Sequence, residues 1–353
     1  MSNVKLQTLP YYIGYLKDPH DQRDYSLETF SDPSKFIPLR NASSEEEKAK
    51  QETLKANKRF ALTINEKFNI NDTPLTELEP GWDIINLLTK IRNQMNLGSC
   101  TAFSASGAVE YLSKIINNTI LQMSTLFTYK LTRNLMRLFD GFKETGDTGA
   151  FLRSTVRSLA MYGFVTENEY PYQVDKFDLP ISEELKEVGQ FYQALRYLRV
   201  DHQGIRNDRQ AVVNDLKKWS WFEVPIIFGF TCWDSCLAQA NNSTTRGKIP
   251  FPDPNSLQYE QPSGGHAVSI VGYDDNMIIN NFSKDRTRLL SKTRGAFIIR
   301  NSWGTGWGNV FAEDSKNYSG YGYLPYEYVL KKYANDFWVV LSQEFLDMKQ
   351  FQE

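Results

Sequence analysis

The chain has 353 residues, 41 % apolar and 14 % aromatic, with 40 basic against 42 acidic side chains. That length fits two domains or one large two-lobed unit, and it can bury enough surface to fold without covalent staples. The near-neutral balance excludes a dedicated nucleic-acid binder, three cysteines exclude a disulfide framework, and no run of about 18 apolar residues is there to span a bilayer.

The first twenty residues, MSNVKLQTLPYYIGYLKDPH, lack the apolar core of about 7–15 residues that a secretory signal needs. The expected compartment is therefore the cytoplasm, or a particle assembled from it. Residues 1–80 read as a leader. They hold an aromatic patch (Tyr11, Tyr12, Tyr15), a turn-rich stretch at 17–21, and a charged run at 43–58 that suits a solvated helix or linker. Pro74 and Pro80-Gly81 punctuate the way into a mainly helical half, residues 81–195.

From residue 99 apolar positions recur every three or four residues: Ala102, Ala105, Val109, Leu112 and Ile116. That spacing predicts a helix with one buried face, opened by Cys100 and capped by Ser99. Two more helices are expected over 124–139 and 150–162, the latter stopped by Gly163. A mainly β half, 196–353, follows with three short apolar runs at 224–230, 266–273 and 296–299. Helices first and strands second predict an α+β fold.

Cys100 at a helix N-terminus sits where exposed N–H groups and the helix dipole favour a thiolate, the reactive form of the side chain. A thiol nucleophile also needs a base and a group that orients the base. The chain offers three histidines, His20, His202 and His266. His266 opens an apolar strand after Gly264-Gly265, so its ring can point into a cleft from a rigid element. Asn301, at the end of the run Ile298-Ile299-Arg300, offers a carbonyl to fix the imidazole tautomer. Gln94, six residues before Cys100, can donate to an oxyanion beside the Cys100 N–H. Cys232 and Cys236 lie four apart without a third ligand nearby and read as packed free thiols, so no metal is expected. No cofactor motif is present either: the glycines at 304, 306 and 308 lack the helix and acidic residue of a dinucleotide site.

These residues carry a resemblance. Asn93-Gln94 with Gly98-Ser99-Cys100-Thr101-Ala102-Phe103-Ser104, then Gly265-His266-Ala267-Val268, then Asn301-Ser302-Trp303-Gly304-Thr305-Gly306-Trp307-Gly308 resemble the papain-like cysteine peptidases. Glu169-Tyr170-Pro171-Tyr172 and Gly320-Tyr321-Gly322-Tyr323 fit the branch found in microbes and large viruses, and the likeness spans roughly residues 82–330. It implies a helical lobe and an antiparallel, barrel-like β lobe with the active site in the cleft between them. Cys100 would be the nucleophile, His266 the base, Asn301 its orienting partner and Gln94 an oxyanion donor. Trp303 would shield the Asn–His contact, Trp307 would line the leaving-group side, and Gly149 and Gly265 would line the substrate groove. Partners would be protein or peptide substrates, with no nucleic acid and no membrane. The leader would be an intramolecular inhibitor, its alternative being a permanent packing arm. The chain departs from the family at Leu97, where a cysteine usually stands, and at Thr101, which replaces an aromatic. His266 and Asn301 lie 166 and 201 residues after Cys100, wider than the usual roughly 130–150. Loops at 239–264 and 274–294 are expected to absorb the excess. The same fold also serves transglutaminase-like acyltransferases and non-catalytic binding proteins, and Asn301 rather than an aspartate favours the peptidase.

Overall fold

The structure, a computed structural model, describes residues 12–19, 74–117, 120–202, 206–242, 245, 247–253, 260–308 and 318–345. His20, Tyr11 and the charged run at 43–58 lie outside the described residues.

In chain order a two-residue strand β1 (Tyr15–Leu16) precedes β2 (Gly81–Asp83), and the helical lobe follows. Helix α1 (Cys100–Asn117) is buried nearly all round at its N-terminal half. Its alanines at 102, 105 and 108 let neighbouring elements approach closely, and Gly107 leaves room for the Arg300 side chain, which an added Cβ would meet at 3.1 Å. Helix α2 (Thr125–Phe139) starts as its sequence suggests: the Ser124 hydroxyl accepts the Phe127 N–H at 3.2 Å. Ser99 differs from expectation. Its hydroxyl turns to the Tyr172 hydroxyl, 2.7 Å away, and its carbonyl alone receives the first helical N–H groups. The third helix begins two residues late, because Ala150–Phe151 forms β3 and pairs with β1 before α3 (Leu152–Tyr162) starts. Gly163, at φ +63°, ends α3. A short α4 (Glu183–Gly189) leads to the sheet.

The β lobe holds β4 (Tyr192–Arg199), α5 (Arg209–Trp221), β5 (Ile226–Cys232), α6 (Asp234–Ala240), β6 (Gly264–Phe282), β7 (Leu289–Arg300), β8 (Tyr321–Pro325), α7 (Tyr326–Leu330) and β9 (Ala334–Phe345). Seven strands form one antiparallel sheet in the order β4-β9-β5-β6-β7-β8, with β2 beside β6. The border drawn at 195/196 thus runs through β4. Side chains alternate across the sheet. Phe228 and Phe230 pack with Trp219 of α5 on one face, whereas Ile227 joins Val109 and Leu112 of α1 on the other. The sheet is therefore gripped between α5 and α1, and α1 carries Cys100 into contact with it. Residues 274–294 are not the surface loop expected. They extend β6 and β7 into a hairpin, paired from Ile278–Arg294 to Phe282–Leu289. Its alternation is real but is written in Asn and Ile: Ile279 and Asn281 are buried, Ile278 and Asn280 exposed.

Candidate active site

Cys100 begins α1, and its side chain is fully buried. The sulfur accepts the N–H of Ala267, the residue after His266, at 3.4 Å, so α1 and β6 meet at this point. His266 faces Phe230 across the β5–β6 ladder and is also fully buried. Antiparallel pairing of Ser269 with Arg300 brings Asn301, one residue past β7, back beside the start of β6. There His266 Nε2 lies 2.8 Å from Asn301 Oδ1. That same oxygen accepts the Ser302 N–H at 2.8 Å, which fixes the amide orientation. Nε2 must then be the protonated nitrogen, and Nδ1, buried with no hydrogen-bond partner, keeps its lone pair. The Trp303 indole stacks on the imidazole at 4.4 Å and 21° and covers the His–Asn bond. Trp307 stands one layer further back, 1 % exposed and edge-on to Trp303, instead of lining the groove.

Gln94 is held from both ends. Its Oε1 accepts the Ser302 hydroxyl at 2.5 Å, and its Nε2 donates to Leu97 O at 2.9 Å and to Tyr12 O at 3.1 Å. Ser302 and Tyr172, whose hydroxyl donates to Gln94 O at 2.8 Å, were not singled out from the sequence. Ser302 was nevertheless in plain view inside the Asn-Ser-Trp run. Asp147 accepts the Gly98 N–H at 2.9 Å and the Tyr129 hydroxyl at 2.6 Å, and that hydroxyl accepts the Gly149 N–H at 3.0 Å. The strand edge opposite the thiol is braced in this way.

The groove is filled by the chain's own residues 12–16. Tyr12 O accepts from Gln94 and, at 3.2 Å, from the Trp303 indole. Gly14 lies near the Cys100 sulfur, where its N–H favours the thiolate. Gly14 lies so close to Gly98 and Gly149 that a Cβ on either side would clash, and β1 runs parallel to β3 with the Ala150 N–H on Gly14 O at 2.7 Å. The Tyr15 ring lies over Gly229 and Gly265. Both glycines expected at the substrate groove, Gly149 and Gly265, thus touch this segment.

Burial reverses the expected thiol chemistry. The helix N-terminus was expected to lower the Cys100 pKa; instead, exclusion of water pushes it up to about 12, outweighing the N–H donors of Ala267, Gly14 and Thr101. The same burial pulls His266 down to about 4, against the opposing effect of Asn301. In this state the thiol and the imidazole are both neutral, and among the described residues no hydrogen bond joins them. Cys232 and Cys236 are buried free thiols as read, and among the described residues no cluster suits a metal ion.

A family model described as papain family cysteine protease matches residues 81–319. The chain belongs to the papain family. It is a papain-like cysteine peptidase with the α+β two-lobed fold of that family. Over 346 residues it is 29 % identical to an uncharacterized peptidase C1-like protein of Acanthamoeba polyphaga mimivirus, covering 96 % of this chain and 89 % of that one. A cysteine protease of Blomia tropicalis is 26 % identical over 67 % of this chain, which spans 57 % of that relative. Among solved structures, xylellain, a cysteine protease from Xylella fastidiosa, superposes with a TM-score of 0.59 at 24 % identity, covering 96 % of this chain and 97 % of that one. Procathepsin B of Trypanosoma congolense gives 0.51 at 14 % identity over 79 % of this chain and 81 % of that one.

Proposed function

We propose that the chain is a self-inhibited cysteine endopeptidase whose catalytic residues are Cys100, His266 and Asn301, with Gln94 as oxyanion donor. The observation that carries this reading is the path of residues 12–16. They lie across the site, with Tyr12 O taking the Gln94 and Trp303 donors and Gly14 packed against Gly98 and Gly149. With Tyr12 O on the Gln94 amide and Gly14 O on the Ala150 N–H, the segment occupies the groove. The segment enters beside Trp303 and leaves beside Ala150, so the groove passes an extended chain straight through, as cleavage of internal peptide bonds requires. Likeness of fold to a procathepsin supports the latent reading.

Once the segment leaves, water reaches the pair and the desolvation that holds both groups neutral is relieved. The proton of Cys100 then passes to His266 Nδ1, Asn301 holds Nε2–H, and the thiolate attacks a peptide carbonyl. Gln94 Nε2 and the Cys100 N–H receive the oxyanion. The tetrahedral adduct expels the amine, protonated by the imidazolium, and leaves an acyl-enzyme. His266 then deprotonates water to hydrolyse it. A fluorogenic peptide library incubated with the full chain, alongside mass spectrometry of its N-terminus, tests the reading. Hydrolysis that accompanies loss of N-terminal residues and falls at least about 10⁴-fold in Cys100→Ala is expected. Hydrolysis unchanged in that variant would overturn it.

A further inference from the structure

Within residues 12–19 two side chains are buried, Tyr15 and Asp18. Tyr15 reaches down from the groove, and its hydroxyl donates to Asp336 Oδ2. The Asp18 N–H donates to the same oxygen at 2.7 Å. The Asp18 carboxyl accepts from N–H donors, while burial and the neighbouring Asp336 carboxylate push its pKa well above the usual carboxylate range, against Arg199 and Arg153. The Arg153 N–H, in the first turn of α3, lies 3.1 and 3.2 Å from its two oxygens, and the Trp338 indole donates at 2.9 Å. Arg199 stands 3.8 Å away, and the Arg153 guanidinium binds the carbonyl of Pro19.

This arrangement is a receptor rich in N–H donors. The body of the protein contributes Arg153, Arg199 and Arg209 against two carboxylates, Asp201 and Asp336, all buried together. Asp201 spends its oxygens on Arg199 Nε at 2.9 Å and on the N–H groups of Asp336 and Phe337, each at 3.1 Å. Asp18 joins this cluster from the N-terminal segment. The N-cap of α3, Phe151, has no side chain able to accept, so Asp18 also caps a helix from 135 residues away.

We propose that the Asp18 carboxylate is the latch that keeps the groove closed: a receptor formed by the first turn of α3, Trp338 and Arg199 holds it, and through it holds residues 12–16 over Cys100. The proposal rests on the latent reading above and names what enforces it. The holding element is acceptor geometry, not bulk. Asp18→Asn keeps the shape, but replaces one acceptor oxygen with an NH₂ that faces N–H and guanidinium donors.

The test uses the full chain and the initial rate at which iodoacetamide alkylates Cys100, read by peptide mass spectrometry on the uncut chain. Cys232 and Cys236, both buried, report global unfolding in the same sample. Asp18→Ala and Asp18→Asn are each expected to raise Cys100 labelling about tenfold or more, the ratio that 1.4 kcal/mol of lost holding corresponds to, while Cys232 and Cys236 stay protected. Lys17→Ala, at an exposed neighbour, is expected to leave all three unchanged. Should the Asp18 variants unfold, Trp338→Phe, which removes one donor and keeps the ring, is expected to raise Cys100 labelling by itself. Unchanged labelling in folded Asp18→Ala, or wild-type behaviour of Asp18→Asn beside a fast Asp18→Ala, overturns the latch. Fast labelling of Cys100 without peptide hydrolysis would uphold the latch and sink the peptidase reading instead.

Discussion

At the scale of single residues, one buried imidazole sets a pH dependence. His266 holds its neutral form down to about 4 because water is excluded from it, whereas an unfolded histidine protonates near 6.5. As pH falls from about 6.5 to about 4, the unfolded chain gains a proton that the folded chain does not, so the folded state loses stability. Above and below that window this term is flat. The loss amounts to at most about 3 kcal/mol. Thermal unfolding of wild type and His266→Asn across pH 4–7 is expected to give a steeper acid decline in the wild type. Equal slopes would mean that the ring is already solvated, which its burial argues against. The grouping of side chains at this scale was largely legible in the sequence. Cys100, His266, Asn301 and Gln94 stand in short runs whose neighbours force the geometry: a helix start, a strand after two glycines, a strand end. The protonation states were not legible, because burial by residues more than 80 positions away decides them.

At the scale of elements, the proposed inhibition turns on β1, which is two residues long. Nothing in so short a run has a period to read, and its partners are three glycines, Gly149, Gly229 and Gly265, that accept a foreign backbone or ring where a Cβ would stand. A Cβ on Gly229 would meet the Tyr15 ring at 2.1 Å, and the three nearest atoms all belong to that ring. Gly229→Ala is therefore a wedge against the segment and leaves the sheet itself alone. We expect it to raise the alkylation rate of Cys100 at little cost in melting temperature. Slow alkylation with a lowered melting temperature would place the strain in β5 instead. The extended β6–β7 hairpin was hidden for a different reason. Asn and Asp at 274–276 and 280–281 read as turn residues, and only the folded sheet shows that Asn276 and Asn280 stand on the solvent face, that Asp275 accepts from Lys217 and Tyr326, and that Asn281 bonds to Phe251 N–H and Ser291. Strands β4 and β9 pair over a sequence separation of more than 130 residues, which local pattern cannot carry.

At the scale of the whole molecule, the helical lobe meets the sheet along α1, against β5, β6 and β9, and along α3, against β4 and β9, and the thiol lies at the head of α1. The two cores on either face of the sheet hold these contacts rigid, so the groove is a fixed feature and the covering segment is the variable one. Holding the segment takes two buried anchors, Tyr15 and Asp18, which converge on Asp336 from opposite sides of one carboxylate oxygen. The near balance of charge in the full chain has a local counterpart here, where three arginines and three aspartates close a buried cluster across the groove. The central claim, that the covering segment keeps a competent thiol silent, is tested most directly by exposing the full chain to an epoxysuccinyl peptide and weighing it before and after its N-terminal residues are lost. The account predicts one adduct, on Cys100, that forms readily on the shortened chain and slowly on the uncut one. Adducts forming equally fast on both, or none on either, would contradict it.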